Sequence, residues 1–155
     1  MLKIIEGNLF DYAEKGSLIA HGCNSQGVMN AGFAKEIRRR FPLAYLEYYD
    51  AYKHGGTKVG AYILVYCNNF AIFHAITQLY YGKTGVDYLD YKALESTMKH
   101  TAIHSNSYDT PVHLPLIGGG LAGGNQERIM NILTDVFKNT NATLYLKENN
   151  GKQLS

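Results

Sequence analysis

Two glycine-rich turns constrain the fold of this chain more than any other feature of its sequence. The first covers residues 24–32 and the second covers residues 118–124, and each lies between an apolar strand and a helix. This is the strand-to-helix position of a parallel sheet, where a helix carries the chain back to the next strand. Two such turns within 155 residues predict a single α/β domain.

The remaining pattern predicts six strands interleaved with helices. The strands are expected at residues 2–5, 17–23, 61–67, 70–76, 111–117 and 142–146, with a helical turn within 9–15. The helices are expected at residues 33–41, 42–52, 90–104 and 126–138. Asn68-Asn69 predicts a hairpin between the third and fourth strands. Strands interleaved with helices favour a mixed sheet that is covered on both faces.

Composition and charge exclude several classes of protein. The 15 basic and 13 acidic residues give a formal charge of +2, which is too small to indicate a nucleic-acid footprint. The first residues lack the apolar run of a signal peptide, and no run reaches the roughly 18–20 apolar residues of a membrane span. Two cysteines cannot form a disulfide framework. We therefore expect a soluble, cytoplasmic monomer.

Both glycine turns are candidates for binding an anion. Glycine allows backbone N–H groups to approach a ligand closely, and the helix start that follows favours negative charge. The alternative for either turn is a tight loop with no ligand. Two turns in one small domain indicate a clamp with two walls, as a diphosphate would require. Neither turn has the Gly-Lys-Ser/Thr ending of a phosphate-loop nucleotidase.

Three side chains at the end of the second strand could carry chemistry. His21 and Cys23 are two residues apart, so they point to the same face of the sheet, and Asn24 begins the first glycine turn. His21 could act as a general acid or base, bind phosphate as a cation, or be a buried histidine with backbone partners. Asn24 could bond a sugar hydroxyl or cap the loop. Cys23 is interpreted as a small buried residue.

No metal site or cofactor is predicted. The six histidines show no ligand spacing except His100 and His104, which are four apart on a helix and lack a third partner. A solvated helix face is the favoured interpretation of that pair. The loop or helix-start carboxylates available for chemistry cannot be ranked from sequence: Asp11, Asp87, Asp90 and Asp109.

The second helix and the end of the first carry two further patterns. Tyr45, Tyr48, Tyr49 and Tyr52 recur at helical spacing, and core packing is favoured for them over a base-stacking platform. Arg38-Arg39-Arg40 falls in the last turn of a helix, where cations complement the helix dipole. Neither pattern requires a ligand.

Four segments resemble a known family, the macrodomains. Residues 7–10 (Gly-Asn-Leu-Phe), 19–24 (Ile-Ala-His-Gly-Cys-Asn) and 27–34 (Gly-Val-Met-Asn-Ala-Gly-Phe-Ala) resemble the opening of a macrodomain. Residues 114–124 (Leu-Pro-Leu-Ile-Gly-Gly-Gly-Leu-Ala-Gly-Gly) resemble its second signature loop. The branch most similar to this chain contains small yeast-type ADP-ribose-1″-phosphatases and terminal ADP-ribose glycohydrolases, including phage-encoded versions.

The resemblance implies a three-layer α/β/α fold with a mixed, largely parallel central sheet over residues 1–147, and a polar tail over 148–155. It also implies an ADP-ribose cleft at the carboxyl ends of the strands, with adenine near Asn8, diphosphate at residues 29–33 and the distal ribose near residues 24–27. The ligand-binding positions that it implies are Asn8, Leu9, Ser25, Gln26, Gly27, Met29, Asn30, Ala31, Gly32, Phe33, Thr77, Gln78, Ile117, Gly118, Gly119, Gly120, Leu121, Ala122, Gly123, Gly124 and Asn125.

The activity implied by the resemblance is hydrolysis of ADP-ribose-1″-phosphate, with His21 and Asn24 as catalytic residues. The glycohydrolase branch instead pairs a lysine after the fourth strand with an aspartate in the second loop. Here Ala122 stands at the aspartate position and Lys83 is displaced, while Asn125 stands where several phage relatives have aspartate. The alternatives are a module that binds ADP-ribose without turnover, and a hydrolase that removes ADP-ribose from macromolecules. A phage-encoded protein would act in the host cytoplasm.

Overall fold

A computed structural model describes residues 1–82, 86–118 and 123–147. Its strands are β1 (Leu2–Glu6), β2 (Leu18–Asn24), β3 (Tyr62–Cys67), β4 (Phe70–Gln78), β5 (Val112–Pro115) and β6 (Ala142–Leu146). Its helices are α1 (Gly32–Arg40), α2 (Pro42–Lys53), α3 (Tyr91–Tyr108) and α4 (Gln126–Val136), with a short 3₁₀ turn at Leu9–Asp11. The polar tail predicted at 148–155 lies outside the described residues.

The strands form one sheet in the order β1-β6-β5-β2-β4-β3. Four of the neighbouring pairs are parallel, and only β3 runs antiparallel to β4. The sheet is therefore mixed and largely parallel, which confirms the predicted α/β class. Within the described ranges, no helix has both the length and the apolarity needed to cross a membrane.

Two core clusters fill the space on either side of the sheet. Leu18 and Ala20 of β2 pack with α3 and α4, while Ile19 and Cys23 pack with α1 and α2. Because successive strand residues face opposite sides, a strand buried on both faces must be apolar at consecutive positions. This is why β2 has a continuous apolar run, and it confirms that the sheet is covered on both faces.

The hairpin predicted at Asn68-Asn69 is confirmed. Both residues have left-handed backbone angles, with φ of 52° and 65°, and Cys67 pairs with Phe70 across the turn. Positive φ at both central positions is the signature of a type I′ turn, whose twist matches that of the strands it joins. Asparagine tolerates this conformation better than other residues with a side chain beyond Cβ.

Some boundaries differ from the predictions. Helix α3 continues to Tyr108, past the predicted end at 104, and stops where Asp109 adopts a φ of 50° and donates its N–H to Ser105. Asp90 accepts from the N–H of Ala93 at the other end of α3. Asp90 therefore caps the start of α3, and Asp109 follows its last turn. Strand β5 stops at Pro115, short of the predicted 117.

The prediction of core packing for the tyrosines of α2 is correct for Tyr48 and wrong for Tyr49 and Tyr52. Tyr48 is fully buried, whereas Tyr49 and Tyr52 are each 37% exposed. The reason is that α2 buries only a narrow stripe, Ala44 and Tyr48, against the sheet. Tyr45 is half-buried and packs against the core cluster on this face. The ring of Tyr49 stacks on that of Tyr45 and contacts that of Tyr52 at a tilt, with both centroid distances 5.9 Å.

The hairpin generates a stability prediction. Asn69→Val places a β-branched residue at φ 65° and should lower the free energy of unfolding by about 1–2 kcal/mol. Asn69→Gly should leave it unchanged or slightly higher, since glycine has no steric penalty at this angle. Urea unfolding of both variants measures the difference. Equal stability of the valine and glycine variants would show that the turn is not held in this conformation.

Candidate functional site

The candidate site lies at the carboxyl ends of β2 and β5, which are neighbours in the sheet. After β2 the chain passes to α1 on one face, and after β5 it passes to α4 on the other. In an open α/β sheet, a crevice forms where the connections from adjacent strands diverge to opposite faces, and ligands bind there. The two glycine turns flank this crevice. Of the second turn, Gly119, Gly120, Leu121 and Ala122 lie outside the described residues, as does Lys83.

Three neighbouring strands converge below the crevice at Gly22. A Cβ at this position would lie 2.6 Å from Ile117 Cγ2 and 2.8 Å from Thr77 Oγ1. Both distances are shorter than any side chain tolerates, so only glycine fits between the ends of β4 and β5. Thr77 and Ile117, which were predicted to line the ligand, are almost completely buried at 0% and 2% exposure. They form the base of the site.

Asn24 organises the first glycine turn. Its amide nitrogen donates to the carbonyl of Val28 over 2.9 Å, and its Oδ1 accepts from the N–H of Gln26 over 2.9 Å. The hydroxyl of Tyr48, which approaches from α2, donates to the backbone oxygen of Asn24 over 2.6 Å. These contacts favour the loop-cap interpretation of Asn24 over a direct bond to a sugar.

The start of α1 presents unfilled backbone donors at the end of the first turn. The N-cap residue Ala31 has no side-chain hydrogen bond to the helix, and the first turn contains no acidic residue. Asn30, Ala31 and Gly32 are exposed. The first N–H groups of a helix lack intrahelical partners and carry a partial positive charge, so this helix end is suited to an anion.

The start of α4, on the opposite wall, is already capped. Asn125 Oδ1 accepts from the N–H of Arg128 over 3.0 Å, and its own N–H contacts the hydroxyl of Tyr91 at 2.8 Å. Asn125 therefore serves as an N-cap, and the sequence pattern gave this position only a ligand role. Of the two helix starts at the crevice, that of α4 has a side-chain cap and an acidic residue, Glu127, in its first turn, whereas that of α1 has neither.

Close packing explains why glycine is required at positions 118 and 123 of the second turn. Gly118 and Gly123 have φ of 76° and 72°. A Cβ at Gly118 would lie 2.7 Å from Leu89, and one at Gly123 would lie 2.3 Å from the backbone oxygen of Val86. The segment before α3 thus packs directly on this turn. These glycines meet a structural requirement whether or not a ligand is bound.

His21 is buried and paired with a second histidine. Its exposure is 1%, and its Nε2 lies 2.7 Å from Nδ1 of His74. His74 Nε2 lies 2.8 Å from the backbone oxygen of Ala44, which can only accept, so this nitrogen carries the proton. His74 Nδ1 is then an acceptor, and His21 Nε2 must donate to it. The lone pair of His21 Nδ1 then faces the thiol of Cys23, whose Sγ lies 3.9 Å away and can donate a weak hydrogen bond to it.

Burial sets the protonation of this group. It lowers the pKa of His21 well below 6.5, and the nearby His74 lowers it further. Burial also lowers the pKa of His74 to about 4 and raises the pKa of the Cys23 thiol. Both imidazoles are therefore neutral at pH 7 and Cys23 is a thiol. This electrostatic setting favours His21 as a neutral base over the phosphate-binding cation considered from sequence.

The other predicted positions divide by exposure. Leu9 and Met29 are buried in the core cluster beneath α1, whereas Asn8 lies on the surface and its Oδ1 accepts from the N–H of Phe10.

The remaining predicted side chains contact neighbouring parts of the protein. Ser25 and Gln26 both donate to the carbonyl of Leu79. Gln78 donates to the carbonyl of Tyr80. Gly27 is buried in the first glycine turn. Phe33 stacks on Phe10, with ring centroids 5.4 Å apart.

Sequence reasoning missed the partner of His21. His74 was treated as one of six histidines without ligand spacing, yet the ligand atoms of His21, Cys23 and His74 all lie within 4.8 Å of one another. Part of the signal was present in the strand pattern. Each histidine is the fifth residue of its predicted strand, 17–23 or 70–76, and parallel pairing of β2 with β4 places His21 opposite His74. Spacing along the chain, which singles out His100 and His104, does not reveal this grouping.

Comparisons with known proteins identify the family. The Macro domain family model matches residues 20–133, which is well over half of the chain, so the chain belongs to this family. An uncharacterized 17.5 kDa protein from the tk-vs intergenic region of Enterobacteria phage T4 is 30% identical over 146 residues, covering 86% of this chain and 88% of the phage protein.

Two solved structures show the same fold. A protein of unknown function from Bacteroides thetaiotaomicron has a TM-score of 0.82 and 26% identity, with 94% of this chain and 97% of that chain covered. DarTG of Thermosipho africanus, solved in complex with ADP-ribose, has a TM-score of 0.80 and 17% identity. That match covers 99% of this chain but 43% of the DarTG chain.

The buried histidine pair generates a pH prediction. Below about pH 6.5 the histidines of the unfolded chain bind protons, whereas those of the folded chain stay neutral because their pKa values are lowered. The free energy of unfolding is therefore highest above pH 6.5 and decreases as the pH falls toward 4. The free energy of unfolding should therefore drop by about 2–3 kcal/mol between pH 7.5 and 5.5. Urea unfolding at the two values measures the drop.

Two variants serve this test. His74→Leu should be less stable at pH 7.5 but should show a smaller drop, since it removes one of the buried groups that titrate. His54→Gln, in which the original side chain is 73% exposed, should retain the full drop. An unchanged drop in His74→Leu would contradict the assignment of neutral buried imidazoles.

Proposed function

We propose that this member of the Macro domain family binds ADP-ribose in the crevice between its two glycine turns. The observation that carries the proposal is the uncapped start of α1, where three consecutive residues, Asn30 to Gly32, are exposed beside a turn that Asn24 and Tyr48 hold in place. Backbone donors at a helix start match the charge and the acceptor oxygens of a diphosphate. The similarity to a DarTG structure solved with ADP-ribose supports the choice of ligand.

The proposed pose follows the chain around the crevice. The diphosphate lies at residues 29–33, and the adenine lies near Asn8, whose Oδ1 retains one lone pair beyond its bond to Phe10. Ser25 and Gln26 hold the turn against Leu79, and their N–H groups donate to Gln78 and Asn24. The distal ribose lies against this fixed turn, near residues 24–27. The second glycine turn forms the opposite wall, with Gly118 and Gly123 packed on the segment that precedes α3.

We further propose that the protein hydrolyses ADP-ribose-1″-phosphate. A water oxygen attacks phosphorus and the bond to the 1″ oxygen breaks. One water proton passes to His21 Nδ1 and the other stays on the phosphate. His21 then gives its proton, through water, to the 1″ oxygen as ADP-ribose leaves. Support comes from His21 Nδ1, whose contact is the thiol of Cys23 at 3.9 Å, and from the neutral state of the imidazole. Because burial lowers the pKa of His21, the negative charge of the bound phosphate must stabilise the protonated ring. His21 is 1% exposed, so the side chains around it, Phe33 among them with ring centroids 5.8 Å apart, must move for this contact.

A second function is favoured by one observation. Because His21 is 1% exposed, a ligand can occupy the crevice without meeting a reactive group, and the protein would then be an ADP-ribose-binding module. Removal of ADP-ribose from macromolecules is a third function, but the positions that it would use, Lys83 and Ala122, lie outside the described residues. The similarity to the phage T4 protein supports a phage-encoded member of the family, which would act in the host cytoplasm. The monomeric state stays a prediction.

Substitution of the α1 N-cap tests the binding site. Ala31→Asp supplies the missing cap, so the free energy of unfolding should stay the same or increase by about 0.5–1 kcal/mol. Its carboxylate should also repel the diphosphate and weaken ADP-ribose binding at least tenfold, as measured by calorimetry. Ala31→Ser is the matched control, because it caps the helix without charge and should weaken binding much less than the aspartate does. Equal affinity of the aspartate and serine variants would place the diphosphate elsewhere.

Phosphorus NMR of ADP-ribose-1″-phosphate tests the activity. The wild-type protein should release inorganic phosphate over time, and His21→Ala should still broaden the diphosphate lines while losing most of the turnover. His113→Ala is the control, since it removes another buried histidine and its contact with Tyr145. Phosphate release by His21→Ala at the wild-type rate would remove His21 from the mechanism. Line broadening without release by the wild type would establish the binding module.

A further inference from the structure

We propose that His21, Cys23 and His74 form a buried binding site for a soft monovalent metal ion, Cu(I). The site lies beneath the crevice, between the sheet and the helices α1 and α2. It involves three donors of the type that copper takes in proteins, two imidazole nitrogens and one sulfur. The inference rests on the geometry of this cluster and does not require ADP-ribose binding. It shares His21 with the proposed hydrolysis, and a bound ion would place a proton on Nδ1 and remove the base.

The donor atoms are already close to coordination distances. Cys23 Sγ lies 3.6 Å from His21 Nε2 and 3.7 Å from His74 Nδ1. Metal bonds of about 2.0 Å to nitrogen and 2.3 Å to sulfur place an N and an S donor about 3.6 Å apart. The two nitrogens are 2.7 Å apart because they share a hydrogen bond, and an ion between them requires roughly 0.7 Å of separation.

The surrounding structure orients the donors. Strand pairing places His21 opposite His74, and alternation along β2 places Cys23 on the same side as His21. His74 Nε2 donates to the backbone oxygen of Ala44, which directs Nδ1 toward the cluster. A metal-bound histidine commonly has this arrangement, in which its second ring nitrogen donates to a carbonyl.

Charge selects the ion. The three side chains are 4% exposed or less, and only Cys23 can carry a negative charge. A thiolate with Cu(I) is neutral overall, whereas a thiolate with Zn²⁺ leaves one uncompensated positive charge in the core. Uncompensated buried charge is strongly unfavourable. Both ions accept sulfur and imidazole ligands, so charge rather than ligand type favours Cu(I).

Binding requires two proton movements and no change of oxidation state. The Cys23 thiol loses its proton to solvent when the copper–sulfur bond forms, and the ion must displace this proton because burial raises the pKa of the thiol. The proton on His21 Nε2 moves to Nδ1, so that Nε2 can donate its lone pair to the metal. One proton is released for each Cu(I) bound.

Anaerobic competition for Cu(I) against the chromophoric chelator bicinchoninate tests the proposal. The wild-type protein should remove one Cu(I) per chain, and Cys23→Ser should lower the affinity at least a hundredfold. Cys67→Ser is the matched control, because Cys67 is the other free cysteine and lies at the hairpin end of β3; it should bind like the wild type. Binding by Cys23→Ser at wild-type strength, or its loss in Cys67→Ser, would overturn the site.

X-ray absorption of the copper-loaded wild-type protein needs no variant and applies even if Cys23→Ser fails to fold. The expected first shell has one sulfur and two nitrogens. A shell with two sulfurs or none would overturn the proposal, as would failure to bind Cu(I).

Competition with Zn²⁺ tests the choice of ion. Zn²⁺ should not displace Cu(I) when the two are present in equal amounts, and displacement would contradict the charge argument.

Discussion

The parallel pairing of β2 with β4 on one edge and with β5 on the other is the interaction on which the rest of this structure depends. It places β2 inside the sheet, where helices cover both of its faces and the two core clusters lie on opposite sides. It also brings the two glycine turns to the same end of the sheet, because parallel strands end together. The crevice, the histidine pair and the close contacts of Gly22 all follow from the position of this one strand.

The two walls of the crevice differ although both contain glycine. On the α4 side, Gly118 and Gly123 allow the segment before α3 to pack closely, and Asn125 occupies the helix start. On the α1 side, Asn24 and Tyr48 hold the loop, and the helix start has no side-chain cap. A glycine pattern alone therefore does not locate an anion site. The missing side-chain cap and the absence of an acidic residue in the first turn distinguish the start of α1 from the start of α4.

Local patterns predicted most of the fold. The apolar runs identified all six strands, and Asn68-Asn69 identified the hairpin, since these features depend on neighbouring residues only. Tyr49 and Tyr52 were assigned to the core because helical spacing shows which residues share a face, but not how wide a stripe the sheet covers. The roles of Asn24 and Asn125 also depend on hydrogen bonds to the backbone, which residue type alone does not reveal.

The pairing of His21 with His74 shows a different limit of sequence reasoning. The two residues are 53 positions apart, and their contact depends on strand order and register, which spacing along the chain does not contain. Once the register is known, the hydrogen bond to Ala44 fixes both tautomers and burial makes both rings neutral. One pair of strands thus places a proton acceptor beneath the crevice and next to a thiol.

An ADP-ribose titration followed by amide NMR tests the location of the binding site most directly. The account predicts saturable shifts for the amides of residues 24–33 and of residues 117–118 and 123–125, at the carboxyl ends of β2 and β5. It predicts no shifts at the opposite end of the sheet, around the Asn68-Asn69 turn and Thr110. Shifts confined to that opposite end, or no shifts at millimolar ADP-ribose, would contradict the account.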